Sequence, residues 1–206
     1  MNSPIFIYGA GGMALVVADA ARVLGRNILA FIDDTTNAPT EFDGAKVIMK
    51  IPPPHDNDFE VIIAIGDCDT RLRIAERLER EGYRFATIVH PSATVSQMAH
   101  IGHGVFIAAG AVIDPLVTIG NHSIINELTV VSHGTLIGCG CHLAPQSAVA
   151  GNCIVDNAVW LGLGAKVIEK RHIAPRTFIG AGSIILHDTN PNTLVYGIPA
   201  KEVKMR

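Results

Sequence analysis

From residue 88 onward, aliphatic side chains recur at every sixth position. Counting from Val89, the series runs through Val95, Ile101, Ile107, Ile113, Ile119, Ile125, Val131, Ile137 and Leu143. It continues without a break through Val149, Val155, Leu161, Val167, Ile173 and Ile179 to Ile185, seventeen consecutive positions holding only Val, Ile or Leu. The residue after the aliphatic one is often small, as at Gly102, Ala108, Gly120, Gly138 and Gly162, and so is the residue two before it, as at Ala99, Ser123, Cys141 and Ala165. A strict period of six with small residues at the bends predicts a parallel β-helix of hexapeptides. Three hexapeptides close one triangular coil, which leaves room for a little over five coils. Each coil pairs its backbone with its neighbours at about 4.8 Å. The aliphatic side chains stack inside, each gaining about 1.5–3 kcal/mol on burial before chain entropy is subtracted. Cys141 and Cys153 fall in the small inward slot, so packing accounts for them.

The first part of the chain follows a different grammar. "IFIYGAGGMALVVADAARVLG" reads as a strand, a glycine-rich turn and a helix closed at Gly25; "ILAFIDD" and "VIIAIGD" read as two further strands. "DTRLRIAERLEREG" reads as an amphipathic, charge-laced helix closed by Gly82. This alternation predicts a small α/β domain with a parallel, Rossmann-like βαβ sheet over residues 1–87, and the β-helix with a short C-terminal tail over residues 88–206. "GAGGMA" opens a helix after a strand, so its backbone N–H groups and the helix dipole can cradle an anion. Asp33 and Asp34 follow at the distance where carboxylates meet ribose hydroxyls. A single unit of this size suits a mononucleotide better than a dinucleotide.

Composition narrows the partners. Of 206 residues, 49% are hydrophobic, only 5% aromatic and 17% charged, with a formal net charge of −3. That balance argues against a nucleic-acid partner. No apolar run is long enough for a membrane span and the N-terminus lacks the features of a signal peptide, so a cytoplasmic location is expected. The four cysteines form no CxxC pair. Between Arg84 and Lys166 there is no Lys or Arg, and only Asp114, Glu127 and Asp156 are acidic. A solvated prism of that length would carry more charge, so its faces are expected to meet other copies of the chain, most simply as a homotrimer.

Hexapeptide prisms ending in a segment such as "GIPAKEV" resemble the left-handed β-helix acyltransferases. Together with "IYGAGGMALVVADAA", "FIDD" and "IIAIGD", the chain resembles the bacterial sugar acetyltransferases. That group includes the UDP-4-amino-sugar (bacillosamine-type) and GDP-perosamine N-acetyltransferases and the sialic-acid O-acetyltransferases. The resemblance implies acetyl-CoA as co-substrate and no metal, a nucleotide sugar as acceptor, and a role in surface glycan synthesis. It implies His133 as the general base, with His142, Leu163 and Ala181 at coenzyme A. It places the nucleotide sugar at Gly11, Gly12, Met13, Asp33, Asp34 and Gly66. Two departures stand out: the acidic residue that follows the base in relatives is Gly134 here, and Met13 stands where relatives commonly carry histidine.

An amine acceptor needs a weaker base than a hydroxyl, so the missing carboxylate favours N-acetylation. O-acetylation of a sialic-acid type and a non-catalytic sugar-nucleotide scaffold remain the alternatives. His133 and His142 stand nine residues apart, half a coil, so they are expected to point to different sides of one chain and to share a site only across a subunit interface.

Overall fold

The computed structural model describes residues 3–54 and 59–205. The N-terminal unit comprises β1 (Ile5–Tyr8), α1 (Gly12–Val23), β2 (Ile28–Ile32), β3 (Glu41–Phe42), β4 (Ala45–Ile48), β5 (Glu60–Ile63) and α2 (Cys68–Arg80). Its sheet runs in the order β3-β4-β2-β1-β5, parallel throughout except for the antiparallel β3–β4 pair. That hairpin was not expected from the strand pattern. Its turn is Asp43-Gly44, both with positive φ, the pairing that suits a two-residue hairpin.

The helices lie on opposite faces of the sheet. On α2, Ile74, Ala75 and Leu78 pack against Phe6, Tyr8, Ile32 and Ile63. On α1, Ala14, Val17, Ala18 and Ala21 pack against Ile7, Phe31 and Ile62 within a cluster that also takes in Ile88, Phe106 and Ile124 of the solenoid. The alanines of α1 thus let a helix fit between the sheet and the prism, joining the two parts through a shared apolar core.

The solenoid is built from two-residue strands, each pairing in parallel with the strands eighteen residues before and after it. Its first face carries Ile88–Val89, Phe106–Ile107, Ile124–Ile125, His142–Leu143, Trp160–Leu161 and Phe178–Ile179. The second runs from Thr94–Val95 to Ile184–Ile185 and the third from His100–Ile101 to His172–Ile173. In each pair the second residue enters the core, where the hexad aliphatics from Ile107 to Ile185 are buried together with Cys141 and Cys153. Every corner from Gly104 to Gly182 holds one residue with positive φ, including Leu116, His122, Gln146, Asn152 and Lys170. The small residues after the aliphatics serve another purpose. A Cβ at Gly120 or Gly138 would lie 2.6–2.7 Å from the backbone of the next coil.

The tail is more than an extended piece. Strands Thr193–Gly197 and Ala200–Met205 form an antiparallel hairpin added to the end of the first face.

Candidate functional site

The six residues expected at the nucleotide sugar all line one groove of about 500 Å³ at the C-terminal ends of β1, β2 and β5. Gly11, Gly12 and Met13 form one side, Asp33 and Asp34 a second, and Gly66 the third, with Thr70, Arg73 and Arg77 of α2 completing the wall. Gly9 makes the approach possible: its φ is +121, and a Cβ there would meet the Ala64 carbonyl oxygen at 2.8 Å. A Cβ at Gly11 or Gly12 would meet nothing within 4 Å, so these two face open space. No side chain caps α1 and its first turn has no acid, which leaves the positive end of the helix facing the groove. Met13 lines the groove and also packs on the α1 core.

The two carboxylates differ in their settings. Asp33 Oδ1 accepts from the Thr35 backbone N–H at 3.0 Å and its hydroxyl at 2.7 Å, which closes the turn after β2. Asp34 accepts from the Tyr8 hydroxyl and lies 3.5 Å from Arg77, while Arg77 donates to the Tyr8 oxygen at 2.5 Å. Burial, reinforced by Asp34, pushes the Tyr8 phenol up to about 12, so it stays a donor at any ordinary pH. Sequence reasoning passed over Tyr8 and Arg77 because each reads as ordinary strand or helix filling.

Gly66 connects the groove to the solenoid. Its carbonyl accepts from Arg71 at 2.8 Å and from His142 Nδ1 at 3.0 Å. The proton on Nδ1 leaves Nε2 as the acceptor for the Asn126 amide at 3.2 Å. The ring lies against Trp160, 4.1 Å between centroids, and Trp160 stacks on Phe178. Buried to 5% exposure, His142 has its pKa pushed down to about 4, chiefly by desolvation. It is a neutral ring seated behind the groove floor.

Arg71 is the second link and has no exposed surface. It donates to the carbonyls of Ile65 and Gly66 on one side and of His122, Gly140 and Cys141 on the other. Burial lowers its pKa, and the ring of carbonyls takes the place of water around the charge. Its position was readable: 71, 74, 75 and 78 form one helix stripe, with an arginine at its head in place of an apolar residue.

The remaining expected residues lie elsewhere. Leu163 and Ala181, eighteen residues apart, stand exposed in successive coils at the corner between the first and second faces. His133 is exposed at the corner between the second and third faces, separate from His142. Its ring lies over Gly151 of the next coil, where a Cβ would come within 2.6 Å of Cε1. Gly134 has φ +66, and a Cβ there would meet Asn152 Oδ1 at 2.5 Å. The space a carboxylate would need beside the base is thus already held by the Asn152 amide. Within one chain the structure joins His142 to the groove floor and leaves His133 on another edge.

Comparison with known proteins fits this layout. Residues 4–78 match the family described as the PglD N-terminal domain. The UDP-N-acetylbacillosamine N-acetyltransferase of Bacillus subtilis (strain 168) is 32% identical over 113 residues, about half of this chain (51%) and about half of that protein (51%). PerB from Caulobacter crescentus, solved with CoA and GDP-perosamine, superposes with a TM-score of 0.91 and 33% identity, covering 98% of this chain and 97% of that one. The acetyltransferase domain of PglB from Neisseria gonorrhoeae FA1090, solved with acetyl coenzyme A, superposes with a TM-score of 0.90 and 29% identity, covering 98% and 100%. A parallel-sheet unit with an open glycine groove, joined through Gly66 to a hexapeptide solenoid and matched over 98% of the chain by the PerB and PglB structures, identifies the group: the chain belongs to the hexapeptide-repeat sugar acetyltransferases.

Proposed function

We propose that the protein transfers the acetyl group of acetyl-CoA to the amino group of a nucleotide-linked amino sugar, for synthesis of a surface glycan in the cytoplasm. The observation that carries this reading is the groove. All six residues expected at a nucleotide sugar line it, beside an uncapped helix start suited to a diphosphate and carboxylates suited to hydroxyl groups. The enzymes that resemble the chain over nearly its full length were solved with CoA, acetyl coenzyme A or GDP-perosamine.

In this reading His133 is the general base. The sugar amine attacks the thioester carbonyl, a C–N bond forms, His133 takes the amine proton, and the C–S bond breaks to release the coenzyme A thiol after protonation. His142, Leu163 and Ala181 serve the coenzyme A side, on the first face and its corner. His133 stands on the far edge of the second face, so the site closes only when His133 of one copy meets that corner of a neighbour, as in a homotrimer. The Asn152 amide holds the place of the carboxylate that follows the base in the family.

The test is thiol release from acetyl-CoA against UDP-, GDP- and dTDP-linked amino sugars, with wild type beside His133→Ala. The expected result is release with one amino sugar, reduced about 10²–10⁴-fold in the variant. Unchanged release in the variant would remove His133 from the chemistry. Release only with hydroxyl acceptors would replace N- by O-acetylation.

A further inference from the structure

On the opposite side of α2 from the groove, three side chains from three separate stretches of chain converge. Glu79 leaves the helix two residues, about 200° of turn, after the groove residue Arg77. His103 and His122 come from successive coils at the corner between the third and first faces. His103 Nε2 lies 2.9 Å from Glu79 Oε1, and His122 Nε2 lies 3.0 Å from the same oxygen. The three atoms all fall within 4.8 Å of one another.

The rings are held from behind. The Arg71 guanidinium fixes the His122 carbonyl at 2.7 Å, and Phe85 meets the edge of His122 and stacks on His103, with centroids 4.6 and 5.7 Å away. On the outer side a hollow of about 300 Å³, lined by Glu79, Tyr83, Arg84, Phe85 and His103, opens to solvent. Two imidazole nitrogens and a carboxylate oxygen around one point, with an open fourth side for water, match the donor set of zinc. Magnesium and calcium prefer oxygen donors alone. Bonds of about 2.0–2.2 Å to all three require the atoms to rearrange by roughly an ångström. Glu79 and His103, with side chains 42% and 47% exposed, have that freedom, while His122 at 2% anchors the set.

We propose that Glu79, His103 and His122 form a binding site for a divalent transition-metal ion of the zinc type, which fastens α2 to the solenoid. The site stands apart from the acetyl-transfer reading: His133 lies on a different edge and the groove on the other side of the helix. Sequence reasoning missed it because His103 and His122 are nineteen residues apart, one coil and one residue, and their carboxylate partner lies on a helix of the other unit.

The test uses the untagged full-length chain, stripped with chelator and titrated with ZnCl₂ by calorimetry, with metal content measured after gel filtration. The expected result is one ion per chain and a melting temperature raised by about 5 °C at saturation. His103→Ala and Glu79→Gln, both at exposed positions, should each weaken binding at least about tenfold while keeping the native circular dichroism spectrum. No saturable binding, unchanged affinity in both variants, or an equal response to MgCl₂ would each overturn the proposal.

Discussion

At the scale of single residues, the His133 corner is governed by what its neighbours lack. Gly151 has no Cβ, so the imidazole lies down on the next coil; the three heavy atoms nearest to an added Cβ all belong to that ring, at 2.6–3.1 Å. Gly151→Ala therefore displaces the ring without touching the core. Steady-state kinetics should give a kcat lower by about ten- to a hundredfold, with the melting temperature nearly unchanged. An equal loss of stability would place the effect in the fold instead. His142 predicts a different response. Its free ring titrates at 6.5 and the folded one at about 4, because burial favours the neutral form. Its contribution is complete above pH 6.5 and is lost as pH falls toward 4. It amounts to a few kcal/mol, because each factor of ten between the acidity constants of the folded and unfolded chain is worth roughly 1.4 kcal/mol. Thermal melts across that window should fall steeply in the wild type and less steeply in His142→Asn.

Among the elements, α2 carries the most consequence. Its apolar stripe docks on the sheet, while Arg71 at the head of that stripe reaches across to three solenoid carbonyls. Arg71→Met keeps much of the volume but strands those carbonyls and the Ile65 and Gly66 oxygens away from water. Denaturant unfolding should register a loss of about 3–5 kcal/mol, and Arg71→Lys should not restore it, because an ammonium cannot replace the planar fork. Full rescue by lysine would mean that charge alone matters. The element-level plan was largely legible: a helix after the glycine turn, a second helix ending before Gly82, and a coil every eighteen residues. The β3–β4 hairpin was hidden because its strands are short and only the Asp43-Gly44 turn signals it. The folding-back of the tail was hidden because its pairing partner, Phe178–Ile179, becomes an edge only once the solenoid is complete.

For the whole molecule, the covered first face and the bare second and third faces set the expectation of assembly. Leu136 and Ile154, 46% and 45% exposed, stand one above the other on the third face, beside Leu116 at the corner with the second. In the proposed homotrimer, Leu136→Glu with Ile154→Glu should separate the copies into monomers in sedimentation velocity. Acetyl transfer should be lost, while the groove, formed within one chain, should still bind the nucleotide sugar. A trimer that survives both charges would move the interface elsewhere.

By itself the sequence determined whatever is periodic or local. The hexad specifies a solenoid because each aliphatic residue buries against the residue eighteen positions away, and that distance is constant along the chain. The glycine turn and the Asp33-Asp34 pair specify a groove because a strand, a turn and a helix are contiguous. Only the tertiary structure decided what depends on pairs without a fixed spacing. It seated His142 on Gly66, buried Arg71 between the two units, turned Tyr8 and Arg77 onto Asp34, and brought Glu79 to His103 and His122. The Tyr8, Arg77 and Asp34 cluster forms within the sheet unit once α2 packs on it. The other three contacts join residues from different grammars of the chain, and only docking of the sheet unit on the first face of the prism, through the alanines of α1, brings them within hydrogen-bonding distance.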